Sequence, residues 1–81
     1  MPKLKSDLSG RDLLNFFVSI GFYLKREKGS HMILHRKKDG QNQILVIPDH
    51  QVIPKGTLKA IIKQAQAYIP IQILEEFLYT K

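Results

Sequence analysis

The 81-residue chain predicts an α+β domain: a helix, a three-stranded antiparallel sheet and a second helix in that order, with the helices on one face of the sheet and a short third helix after them. Three observations carry this expectation. Apolar residues recur with helical period from Leu13 to Ile20 and again from Leu58 to Ala65; between these stretches the period drops to two; and turn residues stand where the period changes.

The first helix begins at Ser9-Gly10-Arg11-Asp12, where an N-cap hydroxyl and a carboxylate three residues on have capping-box spacing. Leu13, Phe16, Phe17 and Ile20 then fall at i, i+3, i+4 and i+7. Gly21 is the residue best suited to the left-handed position that ends such a helix, so the helix is expected to stop near Ile20.

From Phe22 the pattern alternates. Phe22 and Leu24 interleave with Tyr23 and Lys25, a Lys28-Gly29 turn follows, and His31 to Arg36 makes a second strand. Asp39-Gly40 is a hairpin signal between that strand and Gln43 to Ile47, whose Ile44-Leu45-Val46-Ile47 run is nearly continuously apolar. Pro48 has no N–H to donate to a ladder and stops the third strand. Strand parity places His31, Ile33 and His35 on one face and Met32, Leu34 and Arg36 on the other, and Met32 and Leu34 are assigned to the covered side.

Pro54-Lys55-Gly56 opens the second helix. Leu58, Ile61, Ile62 and Ala65 form its buried stripe, and Lys55, Lys59 and Lys63 recur every four residues along a flanking line that faces solvent. Ile69-Pro70 breaks the pattern. Ile71 to Leu78 is then a short, unusually apolar helix, expected to bury Ile71, Leu74 and Leu78 against the second helix and to leave Phe77 for a partner.

Length allows one domain, residues 1–81, with a core from about 9 to 66 and a terminal helix from about 70 to 79. No cysteine is present, which excludes disulfides and thiolate metal sites. The start, Met1-Pro2-Lys3-Leu4-Lys5, is basic without a following apolar run, so neither a signal peptide nor a membrane anchor is expected, and the expected location is cytoplasmic.

The net charge of +6 lies in the middle of the chain, where nine lysines and arginines between Gly21 and Lys63 face three carboxylates. Such a balance serves solubility or an anionic partner such as nucleic acid.

The histidines are the candidates for chemistry. An imidazole exchanges protons near neutral pH, and RNA supplies its own nucleophile in the 2′-hydroxyl, so one positioned base and some fixed positive charge suffice for metal-free cleavage. His31, beside the Gly29-Ser30 turn in a basic stretch, is the candidate general base; the plain alternative is a histidine filling a half-polar strand position. Lys28 and Arg26 are the nearest cations in sequence. His31 and His35 lie four strand residues apart, about 13 Å at roughly 3.3 Å per residue, too far to share a metal ion. His50, in a loop after Pro48-Asp49, is a second titratable group if that loop approaches the first hairpin. No residue is singled out as the general acid: His50, His35, a lysine or water can fill that role.

The ordered segments RDLLNFFVSIGF, KREKGSHMIL, ILVIPDHQ and IPKGTLKAIIKQA, spanning Ser9 to Gln66, resemble the HicA family of toxin-antitoxin systems, and the terminal EEFL, Glu75 to Leu78, is similar to an extra helix of many members. The resemblance implies a fold like a double-stranded-RNA-binding domain and an mRNA-cleaving toxin held inactive by a HicB-type antitoxin. It places the family's essential histidine at His31, preceded by Gly29 and Ser30. Met32 stands where many relatives carry a second histidine, so chemistry is not expected to need that position.

The candidate site is therefore His31 as base, with Lys28, Ser30 and His50 assisting and Arg26, Lys28, Lys55, Lys59 and Lys63 binding RNA. No metal, small-molecule cofactor or membrane is expected. The rival readings are a non-catalytic RNA-binding module that uses the three helical lysines against phosphates, and an interaction protein whose basic face meets an acidic partner.

Overall fold

A computed structural model describes residues 3–80; Met1 and Pro2, part of the basic start read above for targeting, and Lys81 lie outside the described residues. The elements are α1 (Gly10–Ser19), β1 (Tyr23–Lys28), β2 (His31–Lys38), β3 (Gln41–Pro48), α2 (Lys55–Ala65) and α3 (Ile71–Leu78). The three strands form one antiparallel sheet in the order β1-β2-β3. This is the expected α+β architecture, α-β-β-β-α with a third helix added. Among the described residues, no helix is long and apolar enough to cross a membrane.

Both ends of α1 form as the sequence predicts. The Ser9 hydroxyl accepts from the Asp12 N–H at 3.0 Å, and the Asp12 carboxylate accepts from the Ser9 N–H at 2.9 Å, a complete capping box. At the other end Gly21 adopts φ +107°, its N–H bonds to the Val18 carbonyl and the Phe22 N–H to the Phe17 carbonyl. These two bonds define a Schellman motif, sealed by the edge-on contact of Phe17 and Phe22 at 5.7 Å. Phe22 thus ends the helix and does not begin the strand.

The hairpins are tighter than the sequence alone indicates. Lys28 pairs with His31 and Lys38 with Gln41, so the loops are Gly29-Ser30 and Asp39-Gly40. Asp39 and Gly40 both have positive φ, the type I′ pattern, whereas in the first loop only Gly29, at φ +60°, is left-handed, as a type II′ turn requires. Two-residue turns let pairing continue to the strand ends, and β2 and β3 are correspondingly longer than predicted.

One face of the sheet is covered. Met32 and Leu34 of β2 and Leu45 and Ile47 of β3 are fully buried with Leu13, Phe17, Leu58 and Ala65 of the helices, as parity assigns. The apparently continuous run in β3 is in fact an alternation, with Ile44 and Val46 exposed on the opposite face.

Arg36, the third residue on the covered side of β2, sits over the Phe22 ring at 4.5 Å and donates to Gln43 Oε1 at 2.6 Å and to the Ile20 carbonyl at 2.8 Å. That cation of the basic middle is half-buried against the fold, where it satisfies the buried Gln43.

The two edges of the sheet are blunted differently. In β1 the register slips between Leu24 and Arg26, leaving Lys25 as an extra, unpaired residue. On β3 the Gln64 side chain of α2 accepts from the Val46 N–H at 2.9 Å and donates to its carbonyl at 3.4 Å, so an amide occupies the place a fourth strand would take.

The terminal helix buries Leu74 and Leu78 completely. Phe77 is not left for a partner: it stacks on Phe16 of α1, with ring centroids 4.5 Å apart and planes within 6°, and Lys5 lies over it at 4.8 Å. The N-terminal segment is tied to this end of the chain, Lys5 N–H bonding to the Leu78 carbonyl and Leu4 bridging to Tyr79.

Candidate active site

His31 is the first residue of β2 and is exposed. It is held in a row of three, Lys28 of β1 on one side and Pro48 of β3 on the other. Cross-strand neighbours stand with their Cβ atoms about 5 Å apart, so a lysine flanks the imidazole on the same face of the sheet. The turn that delivers His31 depends on Gly29, whose φ of +60° is costly for a residue with a Cβ.

The two-residue turn decides which basic residues share that face, and the bulge lets Leu24 stay on the covered side. With Lys25 unpaired, Arg26 stands opposite Ile33 and Lys28 opposite His31, and cross-strand partners project to the same side. Glu27 is thereby turned to the covered side, opposite Met32. In a ladder kept regular from the Leu24–Leu34 pair, Lys25 and Glu27 would stand there instead, because a one-residue slip flips every later side chain. Arg26 and Lys28 thus accompany His31.

The loop after β3 closes against the same hairpin. The Asp49 N–H donates to the Ser30 carbonyl at 2.7 Å, which anchors the loop beside the Gly29-Ser30 turn. The His50 carbonyl accepts from the Gly10 N–H at 2.9 Å at the start of α1. Gly10 permits this approach, since a Cβ there would collide with the Pro48 carbonyl. The backbone at His50 is therefore fixed close to the hairpin, and its side chain is exposed.

Arg11 completes the frame and was not foreseen in the sequence. Its Nη2 donates to Glu27 Oε1 at 2.8 Å and to Asp49 Oδ2 at 2.9 Å, joining α1, β1 and the loop that carries His50. Asp49 first, and then Glu27, raise the Arg11 pKa above its ordinary value. The available signal was a cation in the first turn of a helix, where the dipole disfavours it unless carboxylates come near.

The three lysines of α2 lie on the helical side of the molecule, exposed. Lys55 and Lys59 line a groove with Lys3, Leu4, Ser6 and Tyr79. They are carried by a different layer from His31, and the loop of residues 49–54 connects the two. Among the described residues, no three His, Cys, Asp or Glu side chains are grouped to hold a metal ion.

The fold and this site define a small α+β domain that presents an exposed imidazole on a basic sheet face. A family profile described as HicA toxin of bacterial toxin-antitoxin matches residues 10–67, from the start of α1 to just past α2. The chain belongs to the HicA toxin family, and so to the toxin side of a toxin-antitoxin pair. Comparison with curated proteins and with solved structures gave no match.

Proposed function

We propose that this HicA-family protein is an endoribonuclease that cuts mRNA without a metal, with His31 as general base, and that a HicB-type antitoxin holds it inactive in the cytoplasm. The observation that carries the reading is the exposed His31 in register with Lys28 on a face that also holds Arg26. His31 takes the proton of the 2′-hydroxyl, whose oxygen attacks the adjacent phosphorus. The bond to the 5′-oxygen breaks, a 2′,3′-cyclic phosphate forms, and the leaving oxygen takes a proton from His50, a lysine or water, since His35 stands about 13 Å along β2 from His31. Lys28 and Arg26 stabilise the charge that grows on the non-bridging oxygens. Ser30 sets the turn that presents the imidazole, and Lys55, Lys59 and Lys63 hold phosphates beyond the cleavage point.

A lone base without an assigned acid makes for slow turnover. An antitoxin would act by covering His31 or by laying acidic surface over the lysines.

Labelled single-stranded RNA incubated with the protein and EDTA tests the proposal. Shortened products are expected from the wild type and none from His31→Ala, with the variant keeping its circular dichroism and RNA affinity because His31 supports no part of the core. A thermal midpoint that falls with the activity would make His31 a structural residue. RNA retained without cleavage by the wild type would favour the binding module, for which the groove of Lys3, Lys55 and Lys59 is the supporting feature. Turnover that requires metal would overturn the mechanism.

A further inference from the structure

The face of the sheet turned away from the helices can be read off the pairing, row by row. Lys28, His31 and Pro48 make the first row; Arg26, Ile33 and Val46 the second; Tyr23, His35 and Ile44 the third; Lys37 and Asn42 the last. No carboxylate stands on it. The acid within these strands, Glu27, is turned to the other side and held by Arg11. Cations follow β1, apolar side chains follow β3, and an aromatic pair, Tyr23 and His35 with ring centroids 6.2 Å apart, closes the third row. Tyr23 is 52% exposed, Ile44 43% and Val46 39%.

We propose that this face is a platform for single-stranded RNA, on which a short segment next to the scissile bond lies along β2 from Tyr23 and His35 towards His31. The inference rests on the reading that RNA is cut at His31. Phosphates run along Arg26 and Lys28, and bases lie on Tyr23 and on Ile33, Ile44 and Val46. The distance from His31 to His35 is about 13 Å, enough for a short extended segment.

Charge complementarity selects the occupant. A surface with three cations, two histidines and no carboxylate suits a polyanion, and an exposed tyrosine among aliphatic side chains suits the faces of unpaired bases. A duplex presents no free base faces to such a platform. Strand addition by a protein is also disfavoured, because Gln64 fills the backbone positions of Val46 on one edge and the Lys25 bulge interrupts the other. The bulge reconciles this basic face with a covered Leu24: a ladder kept regular from the Leu24–Leu34 pair would put Lys25 and Glu27 on the platform in place of Arg26 and Lys28.

The test measures binding apart from cleavage. A fluorescent 2′-fluoro oligonucleotide lacks the 2′-hydroxyl and cannot be cut by this chemistry, so its anisotropy reports affinity in the intact protein. The single strand is expected to bind more tightly than its matched duplex. Tyr23→Ala is expected to weaken the single strand by roughly tenfold, Tyr23→Phe to bind like the wild type, and both to keep the wild-type thermal midpoint. Duplex preference, or wild-type affinity in both Tyr23→Ala and Val46→Ser, would overturn the proposal and leave the face to a protein partner. Cleavage of ordinary RNA by His31→Ala would instead sink the reading of His31, and it would do so without changing these affinities.

Discussion

Arg11 in the first turn of α1 holds Asp49, the residue directly after the row that contains His31, at 2.9 Å through Nη2, and shares that nitrogen with Glu27 at 2.8 Å. One guanidinium thus fixes a helix start, a hairpin arm and the His50 loop relative to each other. Solvent-exposed pairs of this kind stabilise little, so the consequence lies in placement. Arg11→Ala is expected to leave the thermal midpoint nearly unchanged while slowing RNA cleavage, and Arg11→Lys to recover part of the rate, since an ammonium can reach one carboxylate but lacks the planar fork. Parallel loss of stability and activity, with no rescue by lysine, would refute a positioning role.

The lysines of α2 make a prediction about salt. If Lys55, Lys59 and Lys63 contact phosphates, each replacement should flatten the dependence of log affinity on log salt by roughly 0.7 for a single strand, about equally for all sequences. Anisotropy titrations across a range of salt concentrations measure the slope. An unchanged slope would assign the lysines to solvent.

Leu74 and Leu78 are fully buried, and Phe77 stacks on Phe16. Leu74→Ala is therefore expected to cost about 2–5 kcal/mol, a large part of the stability of a domain of this size. Truncation after Ile69, which from sequence alone would lower stability yet spare residual cleavage, is now expected to unfold the protein and abolish cleavage with it. Urea denaturation of Leu74→Ala decides: a loss below about 1 kcal/mol would be incompatible with this packing.

Asp12 predicts a pH dependence with a defined sign. The Ser9 backbone N–H and then the Ser9 side chain hold its carboxyl below the ordinary carboxylate value. A carboxyl whose folded pKa is depressed contributes stability that is fully present above its unfolded value, about 3.9, and is lost as pH falls through the folded value. Asp12→Asn should therefore be less stable than the wild type at neutral pH and converge with it in acid. Ser9→Ala should cost about 1 kcal/mol at neutral pH. Thermal midpoints recorded from neutral pH into acid would contradict the assignment if the two curves for Asp12 stayed parallel.

Sequence alone determined the local architecture, since each signal there acts within a few residues. Ser9 and Asp12 cap α1, Gly21 ends it, Asp39-Gly40 turns the second hairpin, and the alternation of Met32 and Leu34 with His31 and Ile33 sorts β2 into a covered and an open face. The nearness of His31 to the loop after β3 was also open to inference, because Pro48 ends the strand that runs beside it. Only the tertiary structure decided the rest. The Lys25 bulge has no local signature: an extra residue is tolerated where the register on both sides is set by distant partners, here Leu34 for Leu24 and Ile33 for Arg26. Arg11 meets partners 16 and 38 residues away, and Phe77 finds Phe16 across the whole domain. Which face receives Arg26, Lys28 and Glu27 follows from packing between strands, so the charge of the face around His31 became visible only once the chain was folded.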